Sequence, residues 1–279
     1  MTAWRPSFRY LVTRRLVQLA VLGALWGGAK LGWNLMVGDL SAARFLGTVP
    51  LGDPFALLQV LATRHVPAAT ALLGGALTTA LYVVVGGRAW CAWVCPVNPL
   101  ADLVAWLRRR LGAKGGLDVD GTTRRWMALG LVGTSAIVGV PAFESVSPIG
   151  ALHRELCFGI GAGLLVVPLL LIVDGWVLRR GWCGSLCPLG GFWSLVGRLS
   201  LIRVRFDPAR CDHCGDCARV CPESHVLRLA EMARSGAVLD GDCTNCMRCV
   251  EVCPTRALAP GLRFGSQPPR LEDIEHVAK

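Results

Sequence analysis

Charge is scarce in this chain. Asp, Glu, Lys and Arg make up 17% of its 279 residues, against about 25% in an ordinary soluble domain. The shortage is concentrated before residue 180, where apolar runs dominate, and mean hydropathy is +0.49. Other absences narrow the chemistry. No Cys-x2-Cys-His occurs, so covalent c-type haem is not indicated. No Gly-x-Gly-x-x-Gly follows a strand; Gly159, Gly161 and Gly163 sit in an apolar run and read as helix packing, so hydride chemistry on a nucleotide has no footing. No kinase, nucleotide-binding or DNA-reading module accompanies the rest, which weakens a sensor role. The first apolar stretch begins behind Arg5, Arg9, Arg14 and Arg15 but lacks a small-x-small cleavage site, and reads as a retained anchor.

Cysteine, by contrast, is plentiful: thirteen residues, most of them in patterns. Two near-identical strings close the chain, Cys211-x2-Cys214-x2-Cys217-x3-Cys221-Pro222 and Cys243-x2-Cys246-x2-Cys249-x3-Cys253-Pro254. This is the ligand run of two-cluster bacterial ferredoxins, in which the fourth cysteine of each run serves the other cluster. The expected ligands of one [4Fe–4S] cluster are therefore Cys211, Cys214, Cys217 and Cys253, and of the second Cys243, Cys246, Cys249 and Cys221. Three thiolates at short steps wrap one cubane, the fourth must arrive from elsewhere, and the proline turns the chain away. Zinc also binds paired Cys-x2-Cys units. It does not account for a third cysteine at the same step or for the Cys-Pro ending, each present twice. A disulfide framework fits a reducing compartment poorly.

Four apolar stretches approach the roughly 20 residues that a bilayer crossing requires: Leu16–Met36, Ala68–Gly87, Trp126–Val146 and Leu156–Leu178. Arginine and lysine crowd the N-terminal segment, the loop between the second and third stretches, and Arg179–Arg180, whereas the alternate loops hold only Arg44, Arg64 and Arg154. By the positive-inside rule both termini and the cluster domain face the cytoplasm. The formal charge of +10 then reads as topology signal and anionic-lipid contact rather than nucleic-acid binding. Trp90, Trp93, Trp126, Trp176 and Trp182 fall near the expected inner interface. The expected architecture is an integral membrane α-helical region with four transmembrane helices in two repeats (residues 1–200), an α+β ferredoxin-like domain for two [4Fe–4S] clusters (201–260), and an extended tail (261–279).

The repeat is visible in the sequence. The second stretch ends in Trp90-Cys91-x3-Cys95-Pro96 and the fourth in Trp182-Cys183-x3-Cys187-Pro188. Two spans per unit preserve direction, so the halves relate by an axis along the membrane normal. After the first motif, Asn98 as a cap, Pro99 in the first turn and a stripe from Leu100 to Leu111 predict an interfacial helix; Leu189–Leu199 is a weaker counterpart. Cys91, Cys95, Cys183 and Cys187 suit either a further metal or Fe–S site shared between the halves or a pair of redox dithiols. Small buried residues at helix ends are the plainer reading.

Together, the four stretches, the two Cys-x3-Cys-Pro motifs and the double cysteine run resemble the NapH family of ferredoxin-type membrane components of periplasmic nitrate reductase systems. The resemblance spans about residues 10–260. It implies an electron-transfer subunit of a quinol dehydrogenase complex in the bacterial inner membrane. Such a subunit passes electrons from membrane quinol to a periplasmic NapG-type Fe–S protein, with a membrane-anchored multihaem cytochrome as a further partner. Related membrane polyferredoxins serve nitrous oxide reduction, methylamine oxidation and copper-oxidase assembly. The alternative is a membrane ferredoxin that reduces a metal centre or disulfide while another respiratory enzyme matures.

A quinol site would need polar groups within or at the ends of the spans. The candidates are Asp174, His153, Glu144 and Lys30, each weighed against a plain structural role: snorkelling for Lys30, pairing with Arg179 or Arg180 for Asp174, an ordinary loop position for His153. Cys157 has no sequence partner and reads as structural. His213 and His225, in or beside the cysteine loops, read as tuning hydrogen bonds to sulfur rather than binding iron.

Overall fold

The first apolar stretch folds as α1 (Arg9–Leu31), but stops at Gly32, whose φ of +68° is open to glycine at little cost. The chain is known here from a computed structural model that describes residues 8–112, 116, 119–159, 161–177 and 181–264. After α1 comes an antiparallel meander that sequence reasoning did not anticipate: β1 (Met36–Gly38), β2 (Ala42–Phe45) and β3 (Val49–Gly52), with Val37 opposite Arg44 and Ala43 opposite Leu51. Its strands are too short for a clear alternation. The helices α2 (Pro54–Ala62), α3 (Ala69–Val85), α4 (Ala89–Trp93), α5 (Val97–Arg110), α6 (Thr123–Val138), α7 (Ala142–Val146), α8 (Pro148–Phe158) and α9 (Ala162–Ile172) follow. Two π-helical turns, Val173–Val177 and Gly181–Leu186, lead to α10 (Pro188–Gly197). The C-terminal part is β4 (Ile202–Phe206), α11 (Asp216–Val220), α12 (Leu229–Ser235), α13 (Arg248–Val252) and β5 (Leu258–Leu262).

The expected spans come out shorter than the sequence suggests. α3 has 17 residues, α6 16 and α9 11. Among the described residues no helix is long and apolar enough to cross a membrane. Local causes are visible. Gly139, at φ +78°, closes α6 through its N–H to the Ser135 carbonyl. Gly159 and Gly161, at φ +67° and +80°, separate α8 from α9, so they are turn residues and not the packing glycines expected. α1 is longer, at 23 residues, but carries Arg9, Arg14, Arg15 and Lys30. Lys30 is exposed in its last turn. Arg5, Lys114, Arg179, Arg180 and the tail from residue 265 lie outside the described residues.

Two compact units emerge, and their limits do not follow the sequence order. One joins Met1–Leu16, Tyr82–Trp93 and Trp193–Lys279; the other joins Val17–Leu81 and Val94–Phe192. In the first unit β4 and β5 pair antiparallel, Ile202 with Leu262 through Phe206 with Leu258, and bring the two ends of the cysteine region together. Its core is formed by Val204, Phe206, Val226, Met232, Val238 and Leu258, with the cysteines packed around it. The start of α1 belongs here too: Glu251, on α13 between Cys249 and Cys253, accepts from the backbone N–H of Tyr10 at 2.6 Å and of Leu11 at 3.3 Å. A carboxylate thus meets first-turn amides that lack intrahelical partners.

In the second unit Phe55 of α2 packs edge-on against Phe143 at 5.7 Å and at a tilt against Phe192 at 5.9 Å. Beside them the buried Gln59 accepts from the Phe143 N–H at 2.8 Å and from the Ser135 hydroxyl at 3.3 Å. A buried amide so satisfied fixes α2, α6 and α7 against one another.

Candidate functional site

The two cysteine loops share an unusual backbone. In the first, His213 (φ +56°) and Gly215 (φ +76°) are left-handed; in the second, Asn245 (φ +47°) and Met247 (φ +59°) occupy the same places. Three of the four are not glycine, so the conformation is held by the surrounding structure against a local cost. Alternation of this kind turns successive amides inward into an anion-accepting concavity. A short helix follows each loop, α11 and α13, and carries the third cysteine of its run.

The thiols group across the runs. Cys221, from the first run, lines one pocket with Cys243, Cys246 and Cys249 from the second; Glu223 and the apolar Val204, Val226, Val238 and Met247 complete its wall. Burial pushes the Cys221 thiol up, and Cys246 and Cys243 add to the rise. For Cys217 burial again raises the thiol, followed by Cys211, Cys214 and the second-run Cys253. Burial pushes the Cys243 thiol up to about 11 against the opposing pull of the Asn245 amide and the Arg203 and Arg88 guanidiniums. Four sulfurs crowded into one partly apolar pocket are unfavourable as bare thiolates, and suit a multi-iron cluster that shares their charge. Among the described residues no three His, Cys, Asp or Glu converge on a single metal-ion position.

A buried polar network borders this pocket. Arg88 donates from Nη1 to Glu223 Oε1 at 2.8 Å and to the Asp242 carbonyl at 2.9 Å. Burial works against its charge, but Glu223, Cys91 and Asp242 outweigh that and hold it protonated. His225 Nε2 lies 3.2 Å from Asp242 Oδ2 and its Nδ1 3.7 Å from Glu223 Oε2, and Ser194 donates to Asp242. His225 thus binds carboxylates, where sequence reasoning expected sulfur. Trp90 is buried at 8% exposure and the Trp93 indole donates to the Asn245 carbonyl at 3.0 Å, whereas Trp126 is 72% exposed.

The Cys-x3-Cys-Pro motifs differ in backbone. The first is α-helical and then opens at Cys95; the second is a π-turn in which the Cys187 N–H donates to the Trp182 carbonyl at 2.7 Å. Each Cys-Pro step feeds a helix, α5 or α10. α5 begins already at Val97, so Asn98 lies inside its first turn rather than capping it. Cys95 and Cys187 are buried, whereas Cys91 and Cys183 are half-buried. Cys91 falls in the first compact unit and the other three in the second.

The quinol candidates separate. Asp174 is buried, and its Oδ1 accepts from the Trp182 N–H at 2.7 Å, so it holds the second motif; Arg108 braces the same turn through the carbonyls of Asp174 and Gly175. Glu144 and His153 share Asp39 and Arg154 as charged neighbours. Ser41 donates to both Glu144 oxygens at 3.0 Å. Burial lowers the buried His153, and its Nε2 sits 3.4 Å from Cys157 Sγ, on which Lys30 acts electrostatically. Sequence reasoning missed Asp53, which caps α2 through the Phe55 N–H at 2.9 Å; burial pushes its carboxyl up to about 7, with Glu144 adding to the effect. The Asp-Pro at a helix start was a legible signal for the cap, but not for the burial.

Known proteins are similar to this chain in sequence along nearly its whole length. The chain is 42% identical over 258 residues to the methylamine utilization ferredoxin-type protein MauN of Methylorubrum extorquens, covering 92% of this chain and 90% of the relative. It is 39% identical over 266 residues to the ferredoxin-type protein NapH of Escherichia coli K12, covering 94% and 93%. The chain belongs to the NapH/MauN family of ferredoxin-type proteins. The 4Fe-4S dicluster domain family matches residues 203–254, across both cysteine runs. The 4Fe-4S binding domain family matches twice, at 68–114 and 160–207, once on each Cys-x3-Cys-Pro half. NapH of Haemophilus influenzae is 37% identical over 265 residues, covering 94% of this chain and 92% of the relative. No solved structure matches. This member is a ferredoxin-type iron–sulfur electron-transfer protein.

Proposed function

We propose that the chain carries two [4Fe–4S] clusters, one on Cys211, Cys214, Cys217 and Cys253 and the other on Cys243, Cys246, Cys249 and Cys221, and passes electrons from membrane quinol to a periplasmic NapG-type partner. The observation that carries the reading is the crossed pocket, in which a first-run thiol joins three from the second. When bound, each cluster supplies one-electron redox chemistry. Membrane residence is supported by apolar side chains left facing outward on the helices: Ile137 is 87% exposed, Leu165 76% and Leu129 62%. Orientation with the cysteine domain in the cytoplasm follows from the arginine distribution.

Quinol oxidation releases two electrons and two protons, and Glu144 and His153, close to Asp39 and Arg154, are the proton acceptors in this reading. Asp174 is left to hold the second motif, and Lys30 to the field around Cys157. The similarity to MauN favours a second setting, in which the same carrier serves a methylamine-utilization system. The test is anaerobic purification in mild detergent, with iron and sulfide counts and quinol-driven cluster reduction. About eight irons per chain and reduction on the timescale of respiration are expected. Colourless protein after full reconstitution would end the proposal, and co-purification with a nitrate or a methylamine system would select the partner.

A further inference from the structure

The segment Gly86–Trp93, which carries the first Cys-x3-Cys-Pro cysteine, is built into the same compact unit as the second-run loop. Gly86, at φ +129°, lies against the Asn245 side chain, and a Cβ there would collide with its amide nitrogen. Asn245 Nδ2 donates to the carbonyls of Val85 at 2.9 Å and Ile202 at 2.8 Å, and Trp93 donates back to the Asn245 carbonyl. Arg88 sits in the middle of this clamp. It is 2% exposed, and it reaches Glu223, a wall residue of the pocket lined by Cys221, Cys243, Cys246 and Cys249.

A buried cation paired with a buried anion at the edge of one cluster pocket is an electrostatic device as well as a brace. The surroundings of the other thiol group differ. Asp212 and Asp216 neighbour Cys214, which is itself exposed, and the Arg219–Asp216 pair lies on the surface. Charges in solvent are screened, whereas buried ones are screened much less and act more strongly on a neighbouring redox centre.

We propose that Arg88 is a positioning residue that ties the Gly86–Trp93 segment to the Cys221/Cys243/Cys246/Cys249 site and, with Glu223 as its counter-charge, sets the reduction potential of that site alone. The inference rests on the reading that both thiol groups hold cubanes. Adding an electron to a cluster is disfavoured by nearby negative charge and favoured by nearby positive charge. Removing the Arg88 charge takes positive charge from beside the site and leaves Glu223 with His225 as its nearby cation, whereas removing the Glu223 charge takes negative charge away and leaves Arg88 with Asp242 as its carboxylate neighbour. The two changes must move the potential in opposite directions.

The experiment uses the full-length protein in detergent, reconstituted anaerobically, with a mediated redox titration followed by paramagnetic resonance. Iron content near eight per chain and two reduction steps in the unaltered protein first establish the cluster reading; failure there removes that reading and not merely this one. In Arg88→Gln one step is expected to shift to lower potential with the other unmoved. In Glu223→Gln the same step is expected to rise, and Arg88→Lys, which keeps the charge, should restore most of the shift. Both variants moving that step the same way, or neither moving it with iron intact, overturns the proposal. If Arg88→Gln fails to assemble, the sign of the Glu223→Gln shift alone decides.

Discussion

The Trp93 indole N–H donates to the Asn245 carbonyl at 3.0 Å, while the Asn245 side chain donates to Val85 and Ile202. One residue of the second cysteine loop is thereby held from three sides, in a left-handed conformation that asparagine tolerates better than most residues. Trp93→Phe keeps the ring and loses one hydrogen bond, so a loss of about 1 kcal/mol is expected. Asn245→Ala abandons two carbonyls and strains φ as well, and should cost about 2–4 kcal/mol. Thermal melts of the loaded protein should rank them in that order.

Gly87 has no room for a side chain. A Cβ there would meet the backbone of Trp193 and Gly197, neither of which can rotate away. Its N–H also donates to the buried Ser200 hydroxyl at 2.9 Å. Gly87→Ala should therefore lower stability by more than about 3 kcal/mol and reduce iron retention, whereas Gly112→Ala meets no atom within 4 Å. Gly112 does have φ +64°, so its own cost should be limited to about 1 kcal/mol of backbone strain. Iron content after gel filtration separates the two.

Crossed ligation makes a prediction that uncrossed ligation does not. Cys253→Ser should weaken the cluster held by Cys211, Cys214 and Cys217, and Cys221→Ser the one held by Cys243, Cys246 and Cys249. In a Cys253→Ser, Cys211→Ser double variant the damage falls on a single cluster, leaving about four irons per chain. Retention of much less than that would point to ligands drawn from within each run.

The Asp242 hydrogen bond raises the pKa of His225 above 6.5; burial opposes this, and Glu223 adds to the rise. A raised histidine pKa contributes stability that is fully present below the unfolded value of 6.5 and is lost as pH climbs through the folded value. His225 is 43% exposed, so solvent screens part of the effect. Melting temperature should therefore fall from pH 6 to pH 8 by more in the unaltered protein than in His225→Ala. Equal slopes would remove His225 from the network.

Asp174 separates positioning from proton transfer. Asp174→Asn keeps an oxygen to accept from Trp182 and should retain most quinol-driven reduction, whereas Asp174→Ala should lose it through the second motif. A large loss in Asp174→Asn, with the fold intact, would make the carboxylate a proton acceptor instead.

Read alone, the sequence determined the chemistry: cysteine spacing names the metal centre, because a cubane demands sulfur at particular steps along the chain. It also exposed the duplicated Cys-x3-Cys-Pro halves, which the 4Fe-4S binding domain family matches independently. Helix lengths were overestimated, since hydropathy does not register the left-handed glycines at 139, 159 and 161 that end α6 and divide the fourth stretch. Tertiary structure alone decided which polar groups share a site. The ion pair of Arg88 with Glu223, the carboxylate partners of His225 and the capping of Trp182 by Asp174 join side chains whose relation is not written in local pattern. Buried polar groups must find partners wherever the packed chain brings them, and that choice is made by the whole fold.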